Sequence, residues 1–346
     1  MVDVPTFRAT VRAVGMQAIR VRPALIRCFR LAPLVGCIGA APLAGFSALG
    51  ETAPLSASAG WPRVSDTARA PEMRLGGDVV TMPITMVREF PFVEGEIAGV
   101  RGKFMLDTGM RDAIVVNDHR VPIAGGTTIG TGHFGSVQSY EVRLHSKVRE
   151  VSVAGRRYPV VTQVRSQDAR MLEKITPDFL GWVGYDFFSR YALKLDYRHL
   201  RATFYNDGGE RFLAGETVVA VLPFETRKLP NIPVMRARIG RMNVIATLDT
   251  GMYGSLSISP EMRRRLLGEG HLKPTRRPDV FDLTHILVGD KVKITARSIE
   301  VEEGRSASAT AVGVVEDTEL ELGFVFLRQY KTVWDYQRKR LYLLAR

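Results

Sequence analysis

Two stretches of the chain end in nearly the same residues: residues 104–110 read FMLDTGM, and residues 246–252 read ATLDTGM. In each stretch a mostly apolar run leads directly into an aspartate, Asp107 in the first and Asp249 in the second. Because burying an unpaired carboxylate costs several kcal/mol, the end of a buried strand is an unfavourable place for an acid. Two such places in one chain indicate that the two acids act together.

The sequence around these stretches is also duplicated. A proline stands 16 residues before each aspartate, Pro91 in the first copy and Pro233 in the second. Farther on, residues 184–191 (GYDFFSRY) align with residues 323–330 (GFVFLRQY), and an Asp-Tyr pair begins 12 residues after the glycine of each block. The distance from aspartate to glycine is 77 residues in the first copy and 74 in the second. A repeat of this length predicts two similar structural units.

The repeat divides the 346-residue chain into two predicted lobes, residues 78–205 and 216–346. Residues 206–215 begin with NDGGE, a run of turn formers, and are predicted to be the linker. Residues 51–77 are rich in Ser, Ala and Pro, which predicts a flexible stem that is either retained or removed as a pro-segment. Residues 1–50 form a leader of different composition.

Within each predicted lobe the local pattern favours strands. Short β-branched runs bounded by turns occur at residues 79–82, 93–97 and 151–153, and again at 218–221, 234–239, 244–248 and 292–295. Helical signals are confined to residues 186–191, 260–267 and 324–330. The sequence therefore predicts a mainly β protein with two similar lobes.

The leader has the layout of a secretory signal. It carries six arginines against one acid, Asp3, followed by an apolar run over residues 31–49. A retained N-terminal anchor is one alternative. Lipidation at Cys37 is another, because residues 34–37 (LVGC) resemble a bacterial lipobox. In every case the body is expected outside the cytoplasm, periplasmic or secreted, with membrane contact only through the leader. Both cysteines, Cys28 and Cys37, fall in this leader, so no disulfide is expected in the body.

The charge of the chain predicts no nucleic-acid partner. The formal net charge is +12, but the basic residues are spread along the sequence, without the stripe and interleaved aromatics of a nucleic-acid surface. The densest run, residues 263–265, is expected on the solvated face of a short helix. The six histidines show no paired spacing, and no G-x-S-x-G motif is present. We therefore expect no metal site, no cofactor and no serine-hydrolase chemistry.

Two facing carboxyls can perform general acid–base chemistry. At ~3 Å they cannot both ionise at neutral pH, so we expect one pKa to rise and the other to fall. The ionised acid takes a proton from water, and the protonated acid donates to the carbonyl that the water attacks. Gly109 and Gly251 are expected to let backbone N–H groups reach the carboxyls, and Thr108 and Thr250 to hydrogen-bond across the interface.

At this point the residues resemble a known family, the aspartic peptidases of the pepsin and retropepsin type. The Asp-Thr-Gly turns are followed by apolar-glycine elements at residues 182–184 (WVG) and 322–323 (LG). Residues 187–197 are similar to retropepsin-like proteins of bacteria. The resemblance implies a β-barrel-like lobe per repeat and a cleft between the lobes for an extended peptide or unfolded protein. It also implies aspartic-type endopeptidase activity, with Asp107 and Asp249 as catalytic residues.

The resemblance further implies a hairpin flap over the cleft, which we expect between residues 117 and 148. Its candidate tip consists of Gly130, Gly132, His133, Phe134 and Gly135. This string also matches G-x-G-x-x-G, but the residues after it do not read as the helix that a dinucleotide site needs. A glycine-rich hairpin is the better interpretation.

The chain departs from the family at three positions. Met110 and Met252 follow the Asp-Thr-Gly turns where the family usually has Ala or Ser, and Glu321 places a charge where an apolar residue is expected. The rival hypothesis is a non-catalytic peptide- or envelope-binding module that retains the acid-protease fold. A monomer is expected, because both halves of the site are present in one chain.

Overall fold

The computed structural model describes residues 73–133, 139–206 and 208–346. The predicted leader and most of the predicted stem therefore lie outside the described residues. The strands of the first half are β1 (Val79–Pro83), β2 (Thr85–Val87), β3 (Phe90–Ile97), β4 (Val100–Leu106), β5 (Ile114–Asn117), β6 (Thr127–His133), β7 (Ser139–Val153), β8 (Arg156–Gln167), β9 (Phe179–Val183), β10 (Ala192–Asp196) and β11 (Arg201–Tyr205).

The second half contributes ten described strands. They are β12 (Val218–Pro223), β13 (Val234–Ile239), β14 (Met242–Leu248), β15 (Ser255–Ile258), β16 (Leu272–Pro274), β17 (Val280–Val288), β18 (Val292–Glu303), β19 (Glu319–Leu322), β20 (Lys331–Asp335) and β21 (Arg340–Leu344). The described helices are short: α1 (Tyr185–Phe188), α2 (Pro260–Gly268), α3 (Ala307–Val312) and α4 (Phe324–Leu327), with 3-10 turns at Arg170–Lys174 and Arg211–Leu213. None of the helices in this part of the chain is long and apolar enough to cross a membrane.

Each half folds into a barrel-like sheet, and the strand order is the same in both apart from the additional edge strand β2 of the first half. In the first half the order is β2-β3-β4-β9-β5-β8-β7-β6, and in the second it is β13-β14-β19-β15-β18-β17-β16. The additional pairings β3–β7 and β13–β17 join strands that lie far apart in each order and so close the sheets. The parallel pairs also correspond, β4 with β9 in one barrel and β14 with β19 in the other. The two halves are therefore two copies of one topology.

A third sheet contains strands from both halves. Its order is β1-β11-β10-β20-β21-β12, and every pairing in it is antiparallel. The halves meet where β10 pairs with β20, with Leu193 opposite Trp334 and Leu195 opposite Thr332. All four side chains are buried. This sheet fixes the position of one barrel relative to the other.

The local sequence accounts for most of these elements. In β1 and over much of β18, buried and exposed residues alternate, as expected when one face of a strand covers a core. Every residue of β9 is buried, and its sequence FLGWV contains no charge. Helix α2 begins where Ser259 caps it: the Ser259 Oγ accepts a hydrogen bond from the Met262 N–H at 3.2 Å, and Pro260 occupies the first turn.

The predicted fold class, mainly β with two similar barrel-like lobes, is confirmed by this architecture. The helix predicted at residues 260–267 is α2, with residues 263–265 on it as expected. The helices predicted at residues 186–191 and 324–330 are shorter, because each ends after a single turn. Helix α3, capped by the Ser306 hydroxyl, was not predicted, since its sequence ASATAV carries no amphipathic period.

Candidate active site

The two Asp-Thr-Gly turns begin at the ends of equivalent strands, β4 and β14. Each turn is held by the neighbouring parallel strand: the Asp107 N–H donates to the Val183 carbonyl at 3.0 Å, and the Asp249 N–H donates to the Leu322 carbonyl at 3.4 Å. A glycine follows each of these strands. A β-carbon at Gly184 would overlap the Met110 carbonyl oxygen. The apolar-glycine elements noted in the sequence are therefore the segments that pass directly beside the turns.

The structure brings the carboxyls of Asp107 and Asp249 together. The Gly109 N–H donates to an oxygen of each, at 2.7 Å to Asp107 Oδ1 and 3.0 Å to Asp249 Oδ1. The Gly251 N–H donates to Asp249 Oδ1 at 2.7 Å. A β-carbon on Gly109 would overlap the Asp249 carboxyl, and one on Gly251 would overlap that of Asp107. Both glycines are therefore required for the close approach of the turns.

Two threonines lock the turns to each other. The Thr108 N–H donates to Thr250 Oγ1 at 2.9 Å, and the Thr250 N–H donates to Thr108 Oγ1 at 3.0 Å. The Thr250 hydroxyl also donates to the Leu106 carbonyl at 2.9 Å. Both threonines are buried, so these reciprocal bonds satisfy backbone groups that water cannot reach. These bonds between the two turns thus fix the orientation of one carboxyl relative to the other.

Burial dominates the electrostatics of the pair. The pKa of Asp107 is raised well above its usual value. The largest cause is burial, and the charge of Asp249 and a hydrogen bond to Asp249 add to it. The pKa of Asp249 is also raised, first by burial, although hydrogen bonds from Gly251 and from Asp107 lower it. The expectation that one pKa would fall is therefore wrong for Asp249, because burial of its carboxylate outweighs the hydrogen bonds that it accepts.

The pKa values of both carboxyls are raised, so the pair can hold one shared proton. The arrangement can hold one acid and one base side by side. Among the described residues, no group of three or more His, Cys, Asp or Glu side chains is placed to hold a metal ion.

Three residues beneath the pair were missed as site residues. The Asn231 Nδ2 donates to the carbonyls of Thr108, at 3.2 Å, and Gly109, at 2.6 Å, and the Tyr336 hydroxyl donates to the Asn231 carbonyl at 3.1 Å. The charge of Asp249 adds to the burial that raises the pKa values of Tyr197 and Tyr336. The repeated Asp-Tyr spacing was the available signal for both tyrosines. No repeat signal marks Asn231, because residue 89 of the first copy is a glutamate.

The two sides of the pair differ in polarity. In the first barrel, Met105 and Trp182 are opposite each other on β4 and β9, within a buried apolar cluster against which Met110 packs. The corresponding pair in the second barrel is Thr247 and Glu321. Glu321 is half-buried and accepts hydrogen bonds from the hydroxyls of Ser255 and Ser308, and its charge helps to raise the pKa of Asp249. The departure noted at Glu321 therefore affects the acid beside it.

The candidate flap falls on the hairpin of β6 and β7. Gly130, Gly132 and the backbone of His133 lie on β6, at the edge of the first barrel, and the next described element is the antiparallel strand β7 rather than a helix. A β-carbon at Gly132 would lie 2.5 Å from the ring of Tyr140 on β7. Phe134 and Gly135 lie outside the described residues, and the closure of this hairpin over the cleft stays a prediction.

Comparison with known proteins supports the fold. No model of a protein family matches the chain, and no curated protein matches it. Among solved structures, the chain is similar to the aspartic proteinase from Irpex lacteus, with a TM-score of 0.50 and 11% sequence identity. The match covers 77% of this chain and 97% of that one. At this identity the likeness concerns the fold alone, which is mainly β with two barrel-like lobes of the acid-protease type.

Proposed function

We propose that this protein is an aspartic endopeptidase in which Asp107 and Asp249 are the catalytic residues. The observation that carries the proposal is the single N–H of Gly109, which donates to a carboxyl oxygen of each aspartate. The two acids come from different lobes, are both partly buried at the same place and have raised pKa values. If this position were only structural, we would expect neutral side chains or fully paired charges there.

The proposed mechanism assigns different work to the two acids. Asp249 is the base: its carboxylate takes a proton from a water molecule, and the water oxygen attacks the peptide carbonyl carbon. Asp107 is the acid: its proton moves to the carbonyl oxygen as the tetrahedral intermediate forms. When the intermediate collapses and the C–N bond breaks, Asp249 gives its newly acquired proton to the leaving amine nitrogen and Asp107 takes a proton back from a hydroxyl of the intermediate, which restores the singly protonated pair. Because one proton must be shared, activity needs the pair to be singly protonated.

The supporting residues act by position. Gly109 and Gly251 hold the carboxyls through their N–H groups, and Thr108 and Thr250 hold the turns. The substrate in this proposal is an extended peptide or unfolded protein that lies between the lobes under the candidate flap. The place of action is outside the cytoplasm, as the leader predicts.

The test is cleavage of an unfolded protein across pH 3 to 7, followed by mass spectrometry of the products. We expect cleavage that pepstatin inhibits and that falls by at least about 100-fold in Asp107→Asn and in Asp249→Asn. Asp290→Asn is the matched control, because Asp290 is an exposed turn residue between β17 and β18. It removes the same charge and should retain full activity.

The rival function, a non-catalytic peptide-binding module, makes the opposite prediction. In that case the protein binds unfolded peptides but releases no fragments at any of these pH values. Products that form equally fast in Asp107→Asn would point to a contaminating peptidase and would overturn the proposal as well.

A further inference from the structure

A groove on the second lobe lies apart from the paired aspartates. Its volume is about 920 Å³, its floor is formed by β13, β17 and β18, and one wall is formed by α4 and the residues after it. A concavity of this size suits a small molecule, since ligand sites commonly have volumes of about 300–1,000 Å³. The proposed peptidase function assigns no role to it.

The lining of this groove is cationic. Four basic side chains contribute to it, Arg238, Lys293, Arg297 and Arg328, and none of the lining residues is acidic. The strand register explains the cluster. Arg238 and Lys293 both pair with Leu287 on the strand between them, and Lys293 and Arg297 occupy alternate, exposed positions of β18. Arg328 faces them from the end of α4.

Little negative charge offsets this cluster. Arg238 forms an ion pair with Asp290 at 3.2 Å, and Arg328 lies over the ring of Phe324 at 5.4 Å from its centre. Within the described part of the chain, no carboxylate forms an ion pair with Lys293, Arg297 or Arg328. Like charges in a concave surface focus a positive potential, which raises the local concentration of anions.

The remaining lining is mixed: the aliphatic residues Ile286, Leu287, Ile294 and Val325 line the groove together with several polar groups. Thr295 lies between Lys293 and Arg297 on the same face of β18, and the ring of His285 and the amide of Gln329 also line the groove. Hydroxyl, imidazole and amide groups add hydrogen-bond donors to the four cations. One carboxylate would neutralise only one of those cations, whereas a compact anion with several phosphates would match the cluster.

We propose that this groove is a binding site for a soluble anion that carries several phosphate groups. Guanidinium groups at Arg238, Arg297 and Arg328 bind phosphate oxygens in pairs, and the Lys293 ammonium supplies a point charge. The site is distinct from the paired aspartates. The connection is nevertheless short, because the Tyr253 hydroxyl donates to the Arg297 carbonyl at 3.3 Å and Tyr253 is the second residue after the second Asp-Thr-Gly turn.

The experiment is a calorimetric titration of the full-length protein with inorganic tripolyphosphate at fixed ionic strength. We expect saturable binding that Lys293→Gln/Arg297→Gln weakens at least tenfold. The matched control is Arg264→Gln/Arg265→Gln, which removes two exposed charges from α2 and should change the affinity less than twofold. Arg328→Gln provides a second groove variant on a different element, and circular dichroism establishes that each variant is folded.

Two outcomes would overturn the proposal. Equal weakening in the groove and α2 variants would mean that net charge alone attracts the anion, and absence of saturable binding would mean that no site exists. A second arm separates a soluble anion from a lipid headgroup. Sedimentation with phosphatidylglycerol vesicles that tripolyphosphate does not reverse and that Lys293→Gln/Arg297→Gln abolishes would replace the assigned ligand with a membrane surface, since contact through the leader would persist in that variant.

Discussion

Asp249 differs from Asp107 in having a third carboxyl nearby. The charge of Glu321 raises the pKa of Asp249, while hydrogen bonds from Gly251 and Asp107 lower it. In the proposed mechanism Asp249 must be ionised, so activity is lost as the pH falls through its pKa. Glu321 therefore sets part of the lower pH limit of activity.

Replacement Glu321→Gln is expected to extend activity to lower pH. The amide can still bond to Ser255 and Ser308, but loss of the charge lowers the pKa of Asp249 and moves the acidic limb of the pH–rate profile downward. The measurement is kcat/KM against pH. Glu302→Gln is the control, because Glu302 is an exposed neighbour whose own pKa is raised partly by Glu321. An acidic limb that stays in place, or that moves equally in the control, would contradict this role.

Asp107→Asn is expected to stabilise the protein at neutral pH. The folded-state pKa of Asp107 is raised, so its stability contribution is complete below the unfolded value of about 3.9 and is lost as the pH rises through the raised pKa. The asparagine side chain does not titrate, so the variant does not lose this stability as the pH rises. We expect equal melting temperatures near pH 3 and a variant that melts a few degrees higher at pH 7, corresponding to ~1–2 kcal/mol. A difference that does not depend on pH would show that titration of Asp107 is not the cause.

At the scale of elements, the strand–glycine–helix segments carry the turns. β9 leads through Gly184 into α1, and β19 leads through Gly323 into α4. The Phe324 N–H donates to the Met252 carbonyl at 2.8 Å, and the Tyr185 N–H does the same to Met110 at 2.8 Å. The backbone carbonyls of Met110 and Met252 thus form the contacts that fix each turn. These contacts do not depend on which side chain follows the Asp-Thr-Gly.

Gly323→Ala is expected to destabilise the protein by about 3 kcal/mol or more, because its β-carbon would overlap the Met252 carbonyl. The nearest atoms are all backbone atoms of Met252 and Tyr253, which cannot rotate away as a flexible side chain could. Gly268→Ala at the end of α2 is the control, since nothing lies within 4 Å of its added β-carbon. Urea unfolding measures both. The same midpoint for Gly323→Ala and wild type would contradict the close packing described for this segment.

At the scale of the whole molecule, aromatic contacts cross between the halves twice. Tyr185 of α1 packs on Tyr336 with ring centres 4.9 Å apart, and Phe324 of α4 packs on Tyr197 at 5.9 Å. These pairs are equivalent under the repeat. Together with the pairing of β10 and β20, they join the halves beneath the carboxyls.

Neither half is expected to fold stably alone. A chain divided between Gly208 and Gly209 would leave β10 and β20 as open edges and would expose Leu193 and Trp334, which are buried where the halves meet. We expect each half to lack a cooperative thermal transition, and the mixed halves to co-elute in size-exclusion chromatography and regain one. A cooperative transition in an isolated half would show that the shared sheet is not needed for folding.

The duplication, the strand-rich class and the positions of the two aspartates could all be predicted from the amino-acid sequence. Each of these depends on local spacing: the proline before each turn, the glycine after it and the alternation within strands are properties of neighbouring residues. The resemblance to acid proteases came from the same short motifs. Tyr197 and Tyr336 were visible as repeated positions, although their place beneath the carboxyls was not.

The way in which the two copies meet could be seen only in the folded protein. Thr108 and Thr250, which are 142 positions apart, were expected to hydrogen-bond across the interface, but not in the observed pattern, in which each hydroxyl accepts from the backbone N–H of the other residue. Asn231 has no counterpart in the first copy, so the repeat could not reveal its bonds to the first turn. The rise of both pKa values follows from burial, which exists only once the lobes close around the carboxyls. Local sequence placed the two acids, and packing between the halves set their chemistry.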